Sequence, residues 1–431
     1  MTAPPTKPEP LWDLVEESLD ESVFLWKRWE AELLSLTRSL DEVWSWTEDR
    51  LQGALDGVRA AGDGIARLLE AALGGDDPAV LPVAAHLLAA KSDPQARSVL
   101  VTAVREATGP RLWYMIRGIE VAELDGTFAP LTAVLSAKGP EHSAALCRLK
   151  AFRRATSAGE LAEAFESKIP ALQVEALRAA RYAPDEPLAR YVGAGLKSDT
   201  PTVRRAAIES GIYRRLPQAW EWAVRLAHER HPDSGALLCL LATLGSAAEH
   251  QSVVSSLREP SLQREGLFAL GYIGTPEAVE VCLAGMRDPK LARMAGEAYC
   301  AITGANLQRD HLAASEPPDG PSPPPFKADV LDATLVPAAH EVWPLPEVDA
   351  VRRHWASIKS HYASGVRHLS GRSVNLSVLI EAIESGPMLR RPGLILEAAI
   401  RTGGRYDVEP RAFAHVQRRM MAAGRSAALQ S

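Results

Sequence analysis

Three histidines near the C-terminal end recur at a spacing that could place chemistry on one helix face. His354, His361 and His368 are seven residues apart, so the first two would lie on the same side of a helix. Metal ions are usually held by pairs at i, i+3 or i+4 with carboxylate or cysteine support. Gly365 is also expected to end the helix before His368. We therefore predict no metal site here.

Motifs for nucleophilic or phosphate chemistry are missing from the sequence. It has no G-x-x-x-x-G-K-[ST] loop, no G-x-G-x-x-G after a strand, no G-x-S-x-G and no H-E-x-x-H. The four cysteines stand singly in alanine- and leucine-rich stretches, which is typical of reduced core residues in a cytosolic protein. They are Cys147, Cys239, Cys282 and Cys300. We predict a non-enzymatic protein without catalytic residues or a cofactor.

Arginine and tryptophan remain as candidates for binding. Arginines recur in the repeated helical segments described below and could line a concave surface that grips a protein partner. In such repeats they also often pair with an acidic residue of a neighbouring unit, which is a structural role. The candidate partner-binding residues are Arg178, Arg204, Arg205, Arg264, Arg293, Trp220 and Trp222.

A repeated helical pattern organises the middle of the chain. The stretches 172–182, 203–213 and 262–272 each begin with an apolar residue, have another five residues later, and end in a tyrosine. Their starts are 31 and 59 residues apart, and the longer interval fits two units with a degenerate one near 234–245. A further unit begins near Leu291. This period predicts an all-α, HEAT-like solenoid, in which helix pairs bury their apolar faces on their neighbours.

Turn residues agree with the repeat. The stretch 270–279 reads as the turn between two helices, with a glycine to cap the first and a proline to start the second. A turn followed by an arginine resembles the opening of a HEAT repeat at two places, Asp199-x-Pro201 with Arg204-Arg205, and Asp288-Pro289 with Arg293.

The first part of the chain is expected to form amphipathic helices that cap the solenoid. Apolar residues follow helical spacing from Leu11. Ser18-x-x-Glu21 and Ser39-x-x-Glu42 have the form of capping boxes, and the second is the better helix start. Half of the ten tryptophans lie here, and they either form a partner surface or pack these helices onto the solenoid. They are Trp12, Trp26, Trp29, Trp44 and Trp46.

A proline-rich stretch at 316–325 predicts a semi-rigid linker. We therefore divide the chain into N-terminal helices at 1–75, a solenoid at 76–310, a linker at 311–330 and a helical C-terminal domain at 331–431. Within the last segment, 375–386 and 391–403 are each expected to form a helix.

Composition and charge bound the function. The chain of 431 residues is 46% hydrophobic and 24% charged, which is typical of globular proteins. It has neither the signal-peptide pattern nor a membrane-spanning apolar run, so we expect a cytoplasmic protein without a membrane span.

Residues 1–60 carry a net charge of −7 and residues 350–431 a net charge of +8. These segments could attract each other or different partners. The oligomeric state is left open.

Three stretches carry a resemblance to a known family. They are DRLQGALDGVRAAGDG at 49–64, GEAYCAITGANL at 296–307, and a C-terminal set of Trp355, Arg367-x-Leu369-x-Gly371 and Leu394-x-Leu396-Glu397-Ala398-Ala399. Together they resemble an uncharacterised HEAT-repeat family of proteobacteria and myxobacteria, often encoded in type VI secretion gene clusters. The resemblance implies an accessory adaptor or chaperone for a spike component or effector. The sequence departs from it at Arg390-Arg391-Pro392-Gly393, where the proline is expected to delay or break a helix.

Two other functions have some support in the residues. His228-Glu229 and His340-Glu341 are similar to the pairs of HEAT-repeat diiron hydroxylases, but several matched pairs would be needed, and the second lies outside the array. A HEAT-repeat enzyme with an unrecognised site remains an alternative.

Nucleic-acid binding is another alternative, with a groove formed by Trp220, Trp222, Arg214, Arg215 and Arg225. The net charge of −6 and a pI near 6.0 disfavour it.

Overall fold

The computed structural model describes residues 10–90, 93–124, 128–156, 158–182, 188–227, 234–315 and 343–429. The predicted linker at 316–325 and both His-Glu pairs lie outside these residues. The described chain is all-α and solenoid-like, as predicted, with one small hairpin in addition. None of its helices is both long and apolar enough to cross a membrane.

The helices are α1 (Trp12–Glu32), α2 (Leu40–Val43), α3 (Asp49–Arg59), α4 (Ile65–Gly74), α5 (Leu81–Ala89), α6 (Pro94–Glu106), α7 (Gly109–Glu120), α8 (Phe128–Ala137), α9 (Pro140–Phe152), α10 (Ala158–Glu166), α11 (Pro170–Ala180), α12 (Leu188–Leu196), α13 (Pro201–Tyr213), α14 (Pro217–Ala227), α15 (Ser234–Leu244), α16 (Ala247–Ser256), α17 (Gln263–Ile273), α18 (Pro276–Gly285), α19 (Ala292–Thr303), α20 (Val348–Ile358), α21 (Leu376–Ser385), α22 (Arg391–Thr402) and α23 (Ala414–Leu429). The hairpin strands are β1 (His368–Leu369) and β2 (Arg372–Ser373).

The chain divides into two compact units. The first comprises residues 1–33, 41–220 and 409–420, and the second comprises residues 34–40, 221–408 and 421–431. Residues 343–408 belong with the helices of 234–303 in the second unit, and the division into four segments stays a prediction.

Alternate helices of the first unit stack in a row. Helix α5 packs on α7, α7 on α9, α9 on α11, and α11 on α13. The intervening helices complete the pairs, α6 with α5, α8 with α9, α10 with α11, and α12 with α13. Helices α1 and α3 pack together, and α1 also contacts α5. The first unit therefore joins solenoid-like repeats to a helical cap at its N-terminal side.

The predicted repeats lie on equivalent helices of these rows. The stretches 172–182 and 203–213 form α11 and α13 with the turns that follow them, and Tyr182 and Tyr213 meet edge to face with ring centroids 6.0 Å apart. Arg154 stacks over the ring of Tyr182 at 5.4 Å, and Arg181 over that of Tyr213 at 5.8 Å. The repeated tyrosine therefore receives a cation from the preceding repeat.

The second unit repeats the arrangement with α15, α17 and α19 in one row and α16 and α18 beside them. The predicted turn at 270–279 is confirmed, since Gly274 caps α17 with a φ of 68° and Thr275 caps α18 ahead of Pro276. Helix α22 packs on α15 and α21, and α20 packs on α18. A buried ion pair joins Arg390 to Glu297 of α19, with Nε 2.6 Å from Oε1.

Several local predictions needed correction. Ser18 caps no helix, because it lies within α1 and donates to the Leu14 carbonyl at 2.7 Å. Helix α2 does begin directly after Ser39. Pro392 lies in the first turn of α22, where a proline costs no hydrogen bond, so the helix starts there rather than breaking.

The hairpin was not predicted. His354 lies in α20, which ends at Ile358, well before Gly365, and His368 lies in β1. The His368 N–H donates to the Gly274 carbonyl at 2.7 Å, and the Ser370 N–H donates to the Ala301 carbonyl at 2.9 Å. These carbonyls belong to the last turns of α17 and α19, which lack partners within their own helices. The hairpin therefore caps two helices.

A glycine fixes the closest approach of two helices in the first unit. A Cβ at Gly118 of α7 would lie 2.0 Å from the Pro82 carbonyl oxygen of α5 and 3.0 Å from the His86 nitrogen. Both neighbours are backbone atoms and cannot rotate away. Only glycine therefore allows α7 to lie against α5 at this distance.

We expect Gly118→Ala to lower the free energy of unfolding by about 1–3 kcal/mol or more, because the helices must separate. Gly53→Ala is the matched control, since nothing lies within 4 Å of a Cβ at that helical position. It should raise stability by roughly 0.5–1 kcal/mol. Urea titrations followed by circular dichroism measure both, and equal stability of the two variants would contradict the close packing.

Candidate binding groove

A cavity in the first unit has aromatic and proline walls. It encloses about 810 Å³. Helices α1, α5, α7 and α9 and the turn before α5 supply its lining. The lining residues are Trp26, Lys27, Glu30, Asp77, Pro78, Ala79, Pro82, Pro110, Trp113, Tyr114, Arg117 and Arg148.

Two helices present the same pattern to this cavity. Trp26, Lys27 and Glu30 of α1 have the spacing i, i+1, i+4, and so do Trp113, Tyr114 and Arg117 of α7. Residues at this spacing share one side of a helix. Each helix therefore contributes an aromatic wall and a charged group to the same cavity.

A second cavity of about 320 Å³ shares Arg148 with the first. Helices α7, α9 and α11 and the segment at 409–411 contribute to its lining. The lining residues are Glu120, Arg148, Ala151, Phe152, Glu175, Arg178, Arg181, Tyr182, Glu209, Glu409 and Arg411. We call the two cavities together the binding groove.

A buried carboxylate organises the charges of the groove. Glu120 is 2% exposed and accepts hydrogen bonds from Arg148 Nε at 2.6 Å and Arg117 Nη1 at 3.2 Å. Arg411 lies 3.6 Å from the same carboxylate, and Arg117 also pairs with Glu30 of α1. Burial opposes ionisation of Glu120, but the charges of Arg148, Arg117 and Arg411 hold its pKa below the ordinary value.

An aromatic cluster lies beside the groove. The Trp26 and Trp29 rings meet edge to face at 5.4 Å, and Trp29 lies 4.6 Å from Phe413. Trp29 Nε1 donates to the buried Glu48 at 3.0 Å. Burial raises the Glu48 pKa to about 7, although this bond and one from the Ala414 N–H oppose the shift.

The N-terminal tryptophans differ in how far they are buried. Trp26 and Trp29 are buried and pack the first helices. Trp46 is 58% exposed, and a partner surface formed by these tryptophans stays a prediction. Trp26 also reaches the groove, so packing and lining are combined in one side chain.

One of the seven candidate residues lines the groove in the described structure. Arg178 lies in the second cavity and pairs with Glu175 of its own helix at 2.8 Å. Arg205 pairs with Glu209 at 2.8 Å, and Arg204 donates to the Ser198 carbonyl at 2.7 Å. These arginines support their own repeats, and their role in partner binding stays a prediction.

The other candidates lie elsewhere. Arg264 is exposed on α17, and Arg293 donates to the Trp343 carbonyl. Trp220 is half-buried on α14. Arg225 stacks over the Trp222 ring at 4.8 Å.

Sequence reasoning missed the residues that build the groove. Trp113, Tyr114, Arg117, Glu120 and Arg148 are not among the predicted site residues. The sequence signal that could have found them is the shared i, i+1, i+4 spacing in α1 and α7. It indicates a site only when both helices are known to line the same cavity. Among the described residues, no group of three or more His, Cys, Asp or Glu side chains could hold a metal ion.

No protein-family model matches the chain, and no curated protein matches it.

Glu120→Gln should weaken folding strongly. The substitution removes a negative charge from beside Arg117, which is 6% exposed. Breaking a buried ion pair in this way costs about 3–5 kcal/mol. Glu21→Gln is the control, because its pair with Arg50 is exposed and worth about 0–1 kcal/mol. Urea unfolding midpoints measure both losses. Similar small losses would show that Glu120 does not organise the cluster.

His86 should make the protein sensitive to acid. Burial and the nearby Arg59 charge lower the His86 pKa from 6.5 to about 3, so the unfolded chain binds a proton more readily than the native protein. Stability is then fully present above pH 6.5 and is lost as the pH falls, by roughly 2–3 kcal/mol at pH 4.5. We expect His86→Gln to flatten this part of the stability–pH curve measured by urea unfolding. A curve of unchanged slope would argue against a depressed pKa.

Proposed function

We propose that the protein is a non-enzymatic scaffold whose groove holds an extended segment of a partner protein. The observation that carries the proposal is the pair of cavities sharing Arg148, with aromatic and proline walls on one side and arginines on the other. Solenoid repeats commonly offer extended surfaces of this kind to protein partners.

The composition of the groove supports a protein partner. Tryptophan, tyrosine and arginine are the residues that most often dominate the free energy of protein–protein binding. Tyr114 is 44% exposed, so a partner can cover a large apolar surface that water now contacts. The volume of the first cavity, about 810 Å³, is sufficient for several side chains of a bound segment.

We further propose a cytoplasmic adaptor or chaperone in type VI secretion, with a spike component or effector as the partner. This setting is supported by the resemblance carried by residues 49–64, residues 296–307 and the C-terminal set that includes Trp355. The groove supports partner binding in general and is independent of the secretion setting.

Affinity capture from the organism's own cytosol at physiological salt tests the scaffold. The tagged protein is compared with Tyr114→Ala and with Trp46→Ala, which removes an exposed aromatic that does not line the groove. Truncating a hot-spot residue costs about 2 kcal/mol, or roughly 30-fold in affinity. We expect mass spectrometry to find a protein that wild type and Trp46→Ala retain and Tyr114→Ala loses.

Two results would oppose this proposal. If all three proteins retain the partner equally, the partner binds outside the groove. If no specific protein is retained, the protein does not act as a stable scaffold. The identity of a retained protein tests the setting separately, because a spike, sheath or effector protein would support type VI secretion and any other protein would oppose it.

A further inference from the structure

Arg148 is held in place while part of its guanidinium stays available. Its Nε donates to Glu120 at 2.6 Å, and the guanidinium lies over the Trp113 ring at 5.6 Å. Its side chain is 23% exposed at the junction of the two cavities. Among the described residues, its terminal nitrogens have no hydrogen-bond partner. A fixed arginine with unused donors suits planar, two-point recognition of a carboxylate.

Arg148 belongs to a cluster of arginines and carboxylates. Three guanidinium groups, those of Arg117, Arg148 and Arg411, meet the two carboxylates of Glu30 and Glu120. Glu175 and Glu409 line the same cavity as Arg148 and Arg411 and add two more carboxyl groups, and burial raises the pKa of Glu409. The charges of the cluster are therefore close to balance, and a ligand carboxylate would be attracted by the unused terminal donors of Arg148 rather than by a net positive charge.

The wall next to Arg148 favours an apolar group. Trp113 stacks against the arginine, and Tyr114 follows Trp113 on the same helix. Pro82 and Trp26 complete an apolar surface in the same cavity. A ligand that uses both parts of the groove must carry a carboxylate and an apolar side chain close together.

We propose that the groove recognises a peptide segment in which an aspartate or glutamate stands within a few residues of an aromatic or large aliphatic residue. Arg148 donates two hydrogen bonds to the carboxylate, and the apolar residue lies against Trp113 and Tyr114. This specificity rests on the proposed scaffold function and names the chemistry of its partner. The occupant is a protein segment because the two cavities, of about 810 and 320 Å³, extend along α1, α5, α7, α9 and α11, which suits several consecutive side chains of one segment.

Selection from a random dodecapeptide display library tests the proposal with the full-length protein. Wild type is compared with Arg148→Gln, with Arg148→Lys, which keeps the charge but loses the planar fork, and with Tyr114→Glu, which places an anion at the exposed rim. We expect wild type to enrich peptides with an acidic residue near an aromatic or aliphatic one. Synthetic versions of these peptides should bind Arg148→Gln about 10- to 100-fold more weakly.

The variants separate charge from geometry. Arg148→Lys should lose affinity by an intermediate factor, since lysine cannot make the two-point contact. Tyr114→Glu should also lose binding, and because Tyr114 is 44% exposed we expect this variant to fold normally. Circular dichroism and thermal unfolding confirm that each variant is folded before its affinity is compared.

Three outcomes would overturn the proposal. Enriched peptides without acidic residues, bound equally by Arg148→Gln, would exclude carboxylate recognition. Basic peptides bound more tightly by Tyr114→Glu would reverse the charge preference. No enrichment at all would exclude short linear segments as ligands. In each case a partner that is captured from cytosol and lost with Tyr114→Ala would leave the scaffold function standing.

Discussion

The first unit depends on a carboxylate that would be costly to bury alone. Glu120 is ionised because arginines from α7, from α9 and from the chain before α23 surround it. Arg117 extends the network to Glu30 of α1, so the helical cap and the repeats are tied to the same group. Glu120 therefore sets the positions of Arg117, Arg148 and Arg411 in the groove.

The same arrangement explains how the groove can be both stable and able to bind. Arg117 uses its donors on Glu30, Glu120 and the Arg411 carbonyl, so it is a structural residue. Arg148 is anchored through one nitrogen and supported by an aromatic face. An anchored side chain loses little conformational entropy when a ligand arrives, which favours affinity.

Local signals were enough to predict the repeats. Gly274, Thr275 and Pro276 define a turn within three residues, and the tyrosine ten residues into each repeat follows from helical periodicity. The groove could not be predicted in this way, because Glu120, Arg148 and Arg411 are brought together from distant positions. Glu120 looks like an ordinary surface residue until its neighbours are known. Among the predicted arginines, Arg204 and Arg205 lie at the opening of a repeat and bond within that repeat.

The arginine in the turn after α9 limits which substitutions this part of the chain tolerates. Arg154 has a φ of 55°, a conformation in which a glycine or asparagine would be locally more stable. Its cation nevertheless stacks on Tyr182 of the next repeat. The turn after α13 repeats this backbone conformation, with Arg215 at a φ of 55°. Replacing Arg154 with glycine would relieve the backbone strain but would also remove the contact with Tyr182. Substitutions at Arg154 and at Tyr182 should therefore be correlated among related sequences.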